Sequence, residues 1–246
     1  MDVIIVLIAG IVAGFYGTLV GGGGLLTVPV LVLVGLPTQT ALGTSKLGGF
    51  GTNIGGLSNF AKHKLIDFKL ALILTLFLGL GTIIGTTIVV KLSEVLVKKI
   101  IAVLIICILL VLIIKKPIGT KKIKKKITVS SWVVSAILMF LVGIYAGFFG
   151  GGYGTLMSYI LLFFFGQTFL QSAGTRKIPG IVSNMISFLI FFVNGMVNLF
   201  YGVVLFIGLF TGSFVGSYYG PRIGNEWLRK GFIVIVLILA VKMFVT

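Results

Sequence analysis

ALGTSKLGGFGTN, residues 41–53, and SAGTRKIPGIVSN, residues 172–184, are two wordings of one phrase in a chain whose residues are 58% hydrophobic. Lysine stands at the same place in both, Lys46 and Lys177, and an asparagine follows seven residues later, Asn53 and Asn184. Outward from there, GIVAGFYGTLVGGGG from Gly10 answers GIYAGFFGGGYG from Gly143. GLGTIIGTT, residues 79–87, answers FTGSFVGSY, residues 210–218, and Asp67 pairs with Asn198. Residues 1–114 and 128–246 read as two copies of one unit, joined by residues 115–127.

Each copy divides into five apolar segments. They lie at about 2–20, 25–34, 38–60, 68–91 and 97–114, then at about 131–149, 154–166, 168–192, 199–220 and 229–245. A spanning helix needs about 17–25 apolar residues, so the pattern predicts an all-α polytopic membrane protein of two tandem homologous repeats. The second segment of each copy is too short to span. At about 1.5 Å per residue it covers half the hydrocarbon slab, which predicts a glycine-broken or re-entrant helix. The opening MDVIIVLIAGIVAG lacks a basic leader region and an A-x-A cleavage site, and it reads as the first membrane segment.

A net charge of +16 suggests nucleic acid until its distribution is seen. Seven lysines fall in KKPIGTKKIKKK, residues 115–126, between the two oily halves. A cytoplasmic loop that fixes orientation and touches anionic lipid headgroups explains this better, and no nucleic-acid partner is expected. With that linker in the cytoplasm, the loop bearing Lys62, Lys64 and Lys69 is also inside, and Leu36-Pro37 is outside. Five crossings in the second unit keep Arg222, Arg229 and Lys230 inside, whereas four put them outside. Inverted repeats in a cell membrane are therefore expected, with the N-terminus outside. The loop bearing Lys91, Lys98 and Lys99 is the exception to the rule.

The four acids, Asp2, Asp67, Glu94 and Glu226, lie at segment edges, and the one histidine, His63, lies in a loop. The single cysteine, Cys107, allows neither a disulfide within one chain nor a cysteine metal site, and it reads as an apolar filler. Catalysis needs a nucleophile, base or metal ligand within a span, so no catalytic residue, metal or cofactor is expected. Three cations are internal: Lys46, Arg176 and Lys177. Taking each from water costs a few kcal/mol or more. Their counter-charge must come from backbone carbonyls, water, lipid or a bound anion, and the recurrence of the lysine favours the anion. Snorkelling along the lysine stem is the structural alternative. For Arg176 the two readings weigh alike, because its counterpart Ser45 carries no charge.

Gly21 to Gly24, and Gly150 to Gly152 with Gly154, disfavour helix at about 1 kcal/mol per glycine. At membrane depth such unwound backbone survives only inside protein or beside a cavity, and half-helix N-termini there suit an anionic group. Close helix packing is the alternative, and it suits Gly81 and Gly85. Thr44, Thr175, Ser45, Asn53 and Asn184 are neutral donors for an oxyanion, or glue between helices. No nucleotide loop of the GxxxxGK[ST] type is present. GGYG is a faint echo of a potassium filter, but its partner GGGG lacks the tyrosine and inward cations repel the ion.

In these glycine-rich openings, in ALGTSKL and SAGTRKI, in the order Asn53, His63, Asp67 and in the basic linker, the chain resembles the sulfite exporter TauE/SafE family of membrane permeases along essentially its whole length. The resemblance implies movement of sulfite, sulfonates or other small sulfur-containing anions across the cytoplasmic membrane, usually outward. One departure is that LMSYILL in the second half lacks the proline of LLTVPVL, Pro29, so the two broken elements need not be equivalent. The expected site lies between the repeats near mid-membrane. Lys46 and Lys177 would attract the anion there. Arg176, Asn53, Asn184, Thr44 and Thr175 would hydrogen-bond it, with backbone N–H groups near Gly24 and Gly154. Alternating access of one repeat against the other would move it. An anion channel, and a structural or insertase-like protein, are the other readings. A homo-oligomer is compatible with all three.

Overall fold

The computed structural model describes residues 1–114 and 127–223, with positions 108–114 and 220–223 described by backbone alone. Most of the lysine-rich linker, and the last apolar segment with Glu226, Arg229 and Lys230, lie outside the described residues. Among the described residues there are ten helices and no strand. The first half holds α1 (Asp2–Val20), α2 (Gly24–Leu33), α3 (Thr38–Lys62), α4 (Phe68–Lys91) and α5 (Glu94–Ile114). The second holds α6 (Val129–Phe148), α7 (Tyr153–Phe165), α8 (Phe169–Thr175), α9 (Lys177–Val193) and α10 (Leu199–Ile223). Five stretches are long and apolar enough to cross a membrane: Asp2–Val20, Phe68–Lys91, Val129–Phe148, Phe169–Val193 and Leu199–Tyr219.

Two elements depart from the sequence reading. The segment expected at 168–192 is two helices that meet at Arg176. Pro179 has no N–H to offer the carbonyl of Thr175, so the ladder loses a rung there. Helix α5 starts at Glu94, three residues early, because that carboxylate has work to do. It accepts a hydrogen bond from Thr38 N at 2.8 Å and so caps the start of α3.

Helix contacts run across the two halves. Helix α1 lies on α10, α6 lies on α4, and the gaps are closed by α10 against α3 and α4 against α9. Glycines make these contacts close. A side chain at Gly85 would collide with the carbonyl of Ile144, and one at Gly81 with that of Phe140. At the matching positions, Gly212 faces the carbonyl of Ile11 and Gly216 that of Phe15. Small residues spaced by four let backbones approach in an apolar solvent, where burial of carbon adds little. Hydroxyls stitch the same region: Thr82 meets Ser183 and Thr86 meets Ser187, both at 2.9 Å. Outward faces carry exposed Ile8, Leu76, Val133 and Ile207, an apolar belt fit for lipid. Cys107 is exposed, as a filler on that belt would be.

Because backbone, not a flexible side chain, stands opposite these glycines, overpacking there has no outlet. Gly85→Leu or Gly212→Leu should destabilise the folded protein by about 3 kcal/mol or more. Thermal unfolding in detergent micelles should show the loss, with Gly79→Ala, which meets only the tip of Ile186, as the mild control.

Candidate functional site

The glycine breaks fix the site. Helix α1 stops at Gly21, whose φ of 87° is left-handed, and the chain between α6 and α7 turns through Gly150 and Gly152 at φ 82° and 83°. Those values are open to glycine at little cost. The breaks touch each other. A side-chain carbon added to Gly21 would lie 2.5 Å from the Gly154 carbonyl carbon, and one added to Gly154 would lie 2.9 Å from the Gly21 Cα. Helices α2 and α7 thus begin side by side. Their first turns open on a cavity of 70 Å³ whose wall includes Gly23, Gly24, Tyr153 and Gly154. One water needs roughly 10–15 Å³ of such room, so the cavity has space for a small polyatomic ion. Helix N-termini favour negative charge.

All three internal cations lie on the same wall, and none snorkels. Lys46 is 4% exposed, Lys177 1% and Arg176 4%. What holds them is peptide oxygen. Lys46 Nζ donates to Ala146 O at 2.5 Å and Phe149 O at 3.4 Å, at the C-terminus of α6. Arg176 donates to Thr18 O at 2.8 Å, Leu19 O at 2.7 Å and Gly17 O at 3.4 Å, at the C-terminus of α1. Its other arm reaches Gly154 O at 3.0 Å and Ser158 Oγ at 2.5 Å. Lys177 Nζ donates to Thr18 Oγ1 at 2.8 Å and Thr52 O at 3.0 Å. Backbone carbonyls, one of the counter-charges open at the outset, therefore accept most of these hydrogen bonds, and the Thr18 and Ser158 hydroxyls accept the others. A helix C-terminus amounts to about half a negative charge. Three full cations against two such ends leave the wall positive, and the described residues place no carboxylate on it. A side-chain carbon at Gly150 would also crowd the Lys46 ammonium, at 2.7 Å, and the Ala146 carbonyl oxygen, at 3.0 Å.

Asn53 and Asn184 also line the cavity. Each is backed by a glycine of the opposite half, Asn53 by Gly180 and Asn184 by Gly49, at matching positions of the two copies. Gly24 and Gly154 are also on the wall. Thr44 and Thr175 are not. Thr44 Oγ1 accepts from Asn198 N at 2.9 Å, and Thr175 Oγ1 accepts from Asp67 N at 3.1 Å. Asn198 and Asp67 in turn accept from Tyr201 N and Leu70 N, capping α10 and α4. The threonines are clasps on two helix starts, a role the repeat displays twice. Three polar wall residues escaped the sequence reading: Tyr153, Thr27 and Thr52. Their one sequence signal was closeness to a glycine run or to Asn53.

A family model described as sulfite exporter TauE/SafE matches residues 6–243. The chain belongs to the sulfite exporter TauE/SafE family. It is 28% identical over 180 residues to a probable membrane transporter protein of Haemophilus influenzae, covering 73% of this chain and 69% of the relative. It is 29% identical over 184 residues to the probable membrane transporter protein ORF9 of Sinorhizobium sp, covering 74% and 69%. YfcA of Escherichia coli K12, another probable membrane transporter protein, is 26% identical over 176 residues, 70% of this chain and 64% of the relative. No solved structure matches. This TauE/SafE chain is thus a member of a membrane transporter family with an all-helical fold.

Removing Arg176 strands carbonyls on two helices at once, whereas removing an asparagine strands none of them. Arg176→Ala should cost about 3 kcal/mol or more of stability and Lys46→Ala less. Asn184→Ala should melt close to the parent. Scanning calorimetry or a fluorescence melt of the purified protein in micelles checks the order.

Proposed function

We propose that this protein moves small sulfur-containing anions such as sulfite or an organosulfonate across the cytoplasmic membrane by alternating access, with export as its direction. The observation that carries this reading is the cavity at the abutting glycine breaks, walled by three cations and two helix N-termini, with no carboxylate among the described residues. The family supplies the sulfur chemistry, and the small room supplies the size limit. Lys46, Lys177 and Arg176 set a positive field that draws the anion in. Asn53, Asn184 and the first N–H groups of α2 and α7, near Gly24 and Gly154, give it hydrogen bonds. An inside-negative potential adds about 2.3 kcal/mol per charge per 100 mV toward export.

Residues 1–114 and 128–246 act in this scheme as two repeats of opposite orientation around a cytoplasmic linker. The reciprocal contacts support it: Asn53 on Gly180 with Asn184 on Gly49, and Thr44 on Asn198 with Thr175 on Asp67. One half rocking on the other exposes the shared cavity to each side in turn.

Proteoliposomes loaded with labelled sulfite should show saturable efflux that external sulfite accelerates by exchange. Asn53→Ala with Asn184→Ala, a pair that leaves the cation clasps intact, should raise KM about tenfold or more. Lys46→Ala with Lys177→Ala should abolish flux. Absence of saturable flux of sulfite, thiosulfate, sulfate and a sulfonate would sink the reading. Flux that neither saturates nor exchanges would make the protein a channel.

A further inference from the structure

Among the polar wall side chains with no part in the transport scheme, beside Ser45, Thr27 and Thr52, stands one phenol, Tyr153. It is the first residue of α7, directly after the left-handed Gly152. The turn that carries it is fastened from outside. Thr155 Oγ1 donates to Val20 O at 2.5 Å, and Arg176 holds Gly154 O and Ser158 Oγ. Tyr153 lines the same cavity as the Asn53 and Asn184 side chains. Those amides cannot retreat, since each rests on a glycine backbone.

The described hydrogen bonds of the three cations go to peptide oxygens and to the Thr18 and Ser158 hydroxyls, which fixes where those side chains point. A phenol differs. Its hydrogen swings about the C–O bond and can leave an amide oxygen for a stronger acceptor. Hydrogen bonds to a charged acceptor are about twice as strong as neutral ones. An oxyanion between Tyr153 and the two amides supplies such an acceptor, with its lone pairs spread over several oxygens. The site is also lopsided. In the register that aligns Gly10 with Gly143, the counterpart of Tyr153 is Val20, a buried core residue. One half alone brings a phenol to the wall.

We propose that Tyr153 contacts the transported anion and, with Asn53 and Asn184, makes the site prefer a polyatomic oxyanion over a spherical halide. This rests on the cavity being the anion site. The competing role is packing, in which the ring serves only the apolar cluster of Leu161, Met157 and their neighbours.

The test is a pair of titrations on the full-length protein in micelles at constant ionic strength, with sodium sulfite and with sodium chloride, read by thermal shift. Wild type should be stabilised saturably by sulfite and little by chloride. Tyr153→Phe keeps the ring, so the ligand-free melting temperature should hold. Its apparent sulfite Kd should rise about tenfold or more, and its chloride response should not change. In proteoliposomes KM should rise by the same factor, with the maximal rate within about twofold, a split that packing alone does not produce. An unchanged sulfite Kd in Tyr153→Phe overturns the proposal and leaves the transport reading standing. A wild type that binds no anion overturns both. Should Tyr153→Phe fail to fold, 3-fluorotyrosine at position 153 keeps the hydroxyl. Its fluorine resonance should then move saturably with sulfite and not with chloride, and a resonance indifferent to sulfite also overturns the proposal.

Discussion

Three cations are buried within the bundle with no carboxylate beside them among the described residues, and the rest of the architecture can be understood as the means of keeping their hydrogen bonds made. The acceptors within the bundle are peptide oxygens, and an uninterrupted helix spends its own on itself. Free carbonyls appear in the last turn of a helix. For α1 and α6 to offer theirs to Arg176 and Lys46, both helices must end inside the bundle. Glycine is the residue that ends them there, through the left-handed turns at Gly21, Gly150 and Gly152. Ending two helices inside starts two others, α2 and α7, and those starts face the space between. Positive wall, inward N-termini and cavity follow from one constraint.

The contacts of the two halves are paired in the scaffold and uneven in the pocket. The clasps at helix starts, the asparagine-on-glycine contacts and the glycine faces occur once in each half, at matching positions. The parts nearest the cavity do not. Arg176 stands opposite Ser45, Tyr153 opposite Val20, and Pro29 has no partner in α7. In the proposed scheme, a paired frame around an uneven cavity would move alike for either half and give the anion one preferred pose.

What the sequence made legible was whatever carries a large local penalty. Glycine runs inside oil, and lysines inside oil, announce breaks and buried charge, so Lys46, Lys177, Asn53, Asn184 and the Gly24 and Gly154 region could be placed on one wall. The counter-charge stayed hidden because every residue has a carbonyl and none is marked as the partner of Lys46 or Arg176. Thr44 and Thr175 were misjudged for a related reason. Their partners, Asn198 and Asp67, are more than a hundred residues away in the chain. The break at Arg176 was readable from Pro179, three residues on, but hydrophobic continuity overrode it. Tyr153 was obscured by its neighbours, since GGYG invites comparison with a filter before the tyrosine is considered alone.

The account turns on whether a negative ion takes up residence beside cations already held by peptide oxygens. The most direct measurement is an anomalous difference map from crystals of the protein grown with selenite, the heavier analogue of sulfite. A selenium peak in the cavity between Asn53, Asn184 and the start of α7, with Lys46 and Arg176 still on their carbonyls, is the result the account predicts. A cavity without selenium at saturating selenite, or selenium confined to the outer lysines, would contradict it.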